Sequence, residues 1–151
     1  MLLSIRPDSW NFPLLIHVGG ALLLVGTLTV AVACLILAWR SSDTAVSAGL
    51  TRFGFRTVLF GVIPAFILMR GGGQWIASKE GLDNSNAAWI GIGYSTGDLG
   101  VPVLIVAAIL VGLAARKGTG LGTTGRIGAV LVTLLLVAYL VAIWAMSAKP
   151  A

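Results

Sequence analysis

Residues 87–115 read AAWIGIGYSTGDLGVPVLIVAAILVGLAA, and this run decides the fold. Crossing a bilayer as a helix takes about 20 predominantly apolar residues. The run exceeds that length with one side chain expected to carry charge, Asp98. A charged Asp near the middle of a span costs about 2.5–3.5 kcal/mol on insertion scales. Such a residue is expected to face a bundle interior and to have a partner, either at a working site or simply locking helix packing. Tyr94 lies four residues before it and Pro102 four after, so all three share one helix face. Pro102 has no N–H, and its ring presses on the Asp98 carbonyl, so a kink is expected beside the carboxylate. Gly93, Gly97 and Gly100 form an adjacent small-residue strip, expected to let another helix approach closely.

The rest of the chain repeats the apolar pattern. Of 151 residues, 58% are hydrophobic and only 10% charged, where soluble chains average about 25% charged. Four spans are expected, at about 13–39, 53–78, 87–115 and 127–148, giving an all-α bundle of four transmembrane helices with almost no mass outside the membrane. Residues 40–56 and 116–126 read as polar, basic connections, and 79–86 as a short polar loop. Pro64 is expected to kink the second span. The run Gly71-Gly72-Gly73 is expected to make its outer end irregular, because glycine is a poor helix former. The single cysteine, Cys34, excludes an internal disulfide and a Cys-rich metal site. It reads as a small buried residue, with lipidation the alternative.

Charge placement gives an orientation. Arg40, Arg52, Arg56, Arg116, Lys117 and Arg126 fall in the 40–56 and 116–126 connections, while Arg6, Lys79 and Lys149, with Arg70 nearby, fall at the other end. Short loops rich in Lys and Arg stay cytoplasmic, so both termini are expected outside a plasma membrane. Trp10, Trp75, Trp89 and Trp144 fall at the outer interface and Trp39 at the inner one, as aromatic belts require. The net charge of +5 is therefore read as a topology and headgroup signal. The expected partners are the lipid bilayer, a second copy, or the subunits of a membrane complex, and no nucleic acid.

Several polar residues converge in the outer half: His17, Arg70, Gln74, Tyr94 and Asp98. Arg70 and Asp98 fall at similar depth by residue count and are expected to pair, since each removes the other's burial cost. His17 is the only histidine. It reads as a hydrogen-bonded structural residue or as a ligand to haem b or copper, with Met69 or Met146 completing the set. No hydrolase or nucleotide-binding motif occurs, so the chain is not expected to be an enzyme.

The opening of helix 1, Leu15-Ile16-His17-Val18-Gly19-Gly20-Ala21, resembles the His–Gly start of the CopD and DUF2269 group of small bacterial membrane proteins. The WIASKE segment at 75–80 and the AYLVAIWAM segment at 138–146 also resemble those of short polytopic actinobacterial membrane proteins. That resemblance implies a four-helix membrane bundle linked to copper uptake or haem binding, and carries over to His17 alone. Three classes of function follow: a non-enzymatic subunit or packing partner of a membrane complex, a haem- or copper-binding module using His17, and an oligomeric transporter of protons or small solutes using Arg70 and Asp98.

Overall fold

A computed structural model describes residues 11–81 and 88–148, together with Ser9. These form four helices: α1 Asn11–Arg40, α2 Thr44–Glu80, α3 Ala88–Lys117 and α4 Gly122–Ala148. There is no strand among the described residues. All four helices are long and apolar enough to cross a membrane. The expectations placed on Arg6, Trp10 and Lys149, and on most of the 79–86 connection, fall outside the described residues.

The core is a column of aliphatic side chains. Leu24, Leu28 and Leu35 of α1 meet Val58 and Val62 of α2, Val111 of α3, and Val132 and Leu135 of α4. The outer surface is equally apolar, with Leu15, Leu22, Phe60, Ile109 and Trp144 among its exposed side chains.

Helix α2 starts nine residues before the expected 53. Asp43 caps it, its carboxylate accepting from the N–H groups of Ala45 at 2.7 Å and Val46 at 3.2 Å. The polar segment after this cap is helical because it is amphipathic. Ser47, Ala48, Thr51 and Gly54 are buried on one face, while Arg52, Phe53 and Arg56 point outward. The buried Ser47 hydroxyl donates to the Ala38 carbonyl at 2.8 Å and accepts from the Leu121 N–H at 3.3 Å, tying the α1–α2 turn to the α3–α4 turn. In the latter turn, Gly118, Gly120 and Gly122 all have positive φ, a backbone glycine adopts without strain. Helix α4 then begins five residues before the expected 127.

A π turn at Val58–Val62 precedes Pro64, where the ring clash and the missing donor fall. One other expectation about α2 is corrected. The Gly71–Gly73 stretch is not irregular. The helix runs on to Glu80 and ends on Gly81 at φ 67°, the common left-handed C-terminal cap. The glycines are repaid by close packing. A Cβ on Gly72 would lie 2.6 Å from the His17 backbone nitrogen, and one on Gly20 would abut the Met69 backbone.

The helices form two hairpins, α1–α2 and α3–α4. The first half of α2 packs on α3 and α1 packs on α4, but beyond the π turn α2 has little backbone contact with α3 or α4. The bundle is thus closed at its basic end and parted at the other.

Candidate functional site

A cavity of about 480 Å³ fills the parted end, with walls from all four helices. Most of the lining surface is apolar, with Leu24, Val25, Ile90 and Ala142 in it, and Glu80 also lines it. Val18, Leu22 and Ile143 line it and are also exposed on the outer surface, so it opens sideways between α1 and α4.

His17 and Met69 sit where α1 and α2 touch. The His17 Nδ1–H donates to the Met69 carbonyl at 2.8 Å, leaving Nε2 as the free ring nitrogen. Gly73 makes room for the imidazole, since a Cβ there would lie 2.8 Å from Nδ1.

Arg70 crosses from α2 to α3, where Tyr94, Gly97 and Asp98 receive it. Its guanidinium is ion-paired with Asp98 and lies 5.7 Å from the centre of the Tyr94 ring, within cation–π range. Gly97 supplies the space, for a Cβ there would collide with the guanidinium. By residue count Arg70 and Asp98 both lie about 15 Å inside the ends of their helices.

The cluster is not uniformly buried. Asp98 is 64% exposed against 23% for Arg70, and Asp98 lies outside the cavity lining. The inward face of α3 carries Ile90, Gly93, Gly97 and Gly100, and one residue beyond Gly97 turns about 100° away from it. Gln74 lines the cavity but is exposed at its rim, and Tyr94 is half-buried.

Each glycine of the strip Gly93, Gly97, Gly100 receives a side chain: the Met146 methyl at Gly93, the Arg70 guanidinium at Gly97 and the Tyr139 hydroxyl at Gly100. Close backbone approach occurs at Gly20 and Gly72.

Tyr139 was not singled out by the sequence. It lines the cavity, is 6% exposed, and its hydroxyl has no hydrogen-bond partner among the described residues. Its ring meets Phe66 edge-on, with centroids 6.4 Å apart. The available signal was a lone phenol in an uncharged apolar span, one of only two tyrosines in the chain.

His17, Met69 and Met146 do line one cavity. They offer one imidazole nitrogen and two neutral thioethers, donors of the kind that Cu(I) or a His–Met haem iron takes, beside the Arg70 cation; no group of three His, Cys, Asp or Glu side chains occurs among the described residues.

The chain matches no protein-family model, no curated protein and no solved structure.

Proposed function

We propose that this chain is a multi-pass membrane protein that binds a lipophilic small molecule, without chemistry of its own, in the cavity at the parted end of the bundle. Membrane insertion is supported by the outer surface. A helix apolar on every side belongs in a core or a bilayer, and here large apolar side chains are exposed on all four helices. A cytoplasmic closed end is supported by its six cations, with Arg126 over the Trp39 ring at 5.3 Å. The cavity then lies in the outer half and opens toward lipid.

The observation that carries the binding reading is Tyr139, which lines a largely apolar cavity and whose buried hydroxyl, seated at Gly100, has no hydrogen-bond partner among the described residues. A buried donor without a partner costs about 1–3 kcal/mol, a cost that a bound acceptor removes. The volume falls in the range of small-molecule sites, roughly 300–1,000 Å³.

Two experiments test this. In a Cys34→Ala background, a membrane-impermeant maleimide applied to intact cells labels Ser78→Cys and not Ser42→Cys; the reverse pattern overturns the orientation. Protein purified in mild detergent, extracted into solvent and examined by mass spectrometry, carries a lipophilic molecule that is depleted in Ala142→Trp, which fills the cavity. Equal recovery from both overturns the site.

A second reading is compatible with the first. Asp98 places a carboxylate on the apolar outer face, with the exposed Gly91 and Ser95 on the same side of α3. This favours a partner helix over that face, as in a membrane complex. Asp98→Leu should shift the particle in detergent to lower mass by light scattering, and an unchanged mass removes this reading.

A further inference from the structure

We infer that the ligand of this cavity is an uncharged amphiphile whose head carries carbonyl acceptors, of the quinone or ketone class, held by Tyr139 and Arg70. The inference rests on the binding reading above and adds the ligand's chemistry.

The deepest polar side chains of the lining by residue count are Arg70 and Tyr139, both able to donate, while the acceptors Glu80 and Gln74 lie nearer the outer end of α2. Tyr139 offers an O–H with no protein acceptor among the described residues. Arg70 lines the cavity, and a guanidinium carries five N–H groups in a planar fork, of which the Nη2 end is engaged by Asp98. Facing donors of this kind select a head rich in acceptors. The carboxylate of the lining, Glu80, lies ten residues beyond Arg70, about 15 Å along α2, and Asp98 lies outside the lining, so neither competes for these donors at the inner end.

Charge decides between an anionic head and a neutral one. The Arg70 cation is already balanced by Asp98. An anionic head would therefore displace Asp98 or add an uncompensated charge in an apolar setting, and both are costly. A neutral carbonyl accepts from the same donors and leaves the ion pair intact. The aliphatic walls suit a ring, and the opening past Val18, Leu22 and Ile143 lets an apolar tail lie along the outer surface.

Trp89 also lines the cavity, so a bound quencher is visible in tryptophan emission. The probes are decylubiquinone, a neutral quinone, and dibromostearate, an anionic quencher, each titrated into the full chain in mild detergent. Decylubiquinone is expected to quench saturably, about tenfold more weakly in Tyr139→Phe, with dibromostearate binding at least tenfold more weakly than the quinone. Trp89→Phe should remove the saturable component, and Tyr139→Phe should melt no lower than the parent. Tyr139→Phe binding decylubiquinone as tightly as the parent, or dibromostearate binding equally well, overturns the head class while the cavity remains a ligand site. Failure of both probes to quench saturably overturns the binding reading itself.

Discussion

Neighbouring glycines in α2 should respond oppositely to the same substitution. A Cβ on Gly72 would stand 2.6 Å from the His17 nitrogen, 2.9 Å from its Cα and 3.0 Å from Ile16 Cγ2, whereas one on Gly71 meets nothing within 4 Å. Ordinary contact begins near 3.4 Å, so Gly72→Ala forces α1 back by about 0.8 Å, the difference between 3.4 and 2.6. Overpacking of this kind costs about 1–3 kcal/mol. The upper half of that range applies because the obstacle is backbone and no rotamer relieves it. Both substitutions share the gain of about 1 kcal/mol from replacing glycine in a helix. The expected result is Gly71→Ala stabilised by up to about 1 kcal/mol and Gly72→Ala destabilised by about 1–2 kcal/mol. Unfolding by SDS titration in mixed micelles, followed by tryptophan emission, measures both. The reasoning is refuted if the two variants agree within about 0.5 kcal/mol, because the α1–α2 contact would then not be backbone-to-backbone. Gly72→Ala should also weaken the saturable decylubiquinone signal, since His17 and Met69, which line the cavity, are seated by that contact.

Asp98→Asn should cost under about 1 kcal/mol in detergent, as exposed pairs do, and more in lipid nanodiscs, where the lower dielectric strengthens the attraction; equal losses in thermal melts from the two media would count against the carboxylate lying on the outer face. Gly100→Ala pushes on the rigid Tyr139 phenol and should weaken decylubiquinone binding severalfold in the emission assay. Gly93→Ala displaces only the flexible end of Met146 and should weaken that binding less than Gly100→Ala does. Asp43→Ala removes the cap of α2 and should lower stability by about 1 kcal/mol in the same SDS titration, with no effect on the affinity for decylubiquinone; an unaltered midpoint would show that α2 does not depend on its cap.

The four-helix architecture was legible because it is written in hydropathy alone. Span ends were less so. Asp43 followed by a polar, basic segment looked like a loop, yet its burial pattern of Ser47, Ala48, Thr51 and Gly54 is helical. Only one of those four is a residue that hydropathy would mark as core. The triple glycine misled for a related reason. Propensity counts what glycine costs a helix in isolation, about 1 kcal/mol per residue. It does not count the packing that Gly72 and Gly20 permit between two helices whose other side chains cannot pass.

Depth along a helix could be read from the sequence, but the direction in which a side chain points could not. Arg70 and Asp98 were placed at matching depth by residue counting, and the two do pair. What counting could not supply is that Asp98 points outward while Gly97, one residue earlier, points in. In a soluble helix the contrast between apolar and polar faces fixes that direction. Here the contrast is gone, because core positions such as Leu28 and outer positions such as Leu22 are the same residue type. Sequence periodicity then carries no angular signal, and the rare polar side chains are tempting markers of the inside. Asp98 shows that such a marker fails when its partner reaches out to it. Arg70 is long enough to leave α2, pass over the space that Gly97 provides and meet a carboxylate on the rim. Tyr139 shows the converse. A phenol among leucines and valines carries no charge to draw notice, yet its hydroxyl is the buried donor on which the proposed binding site turns.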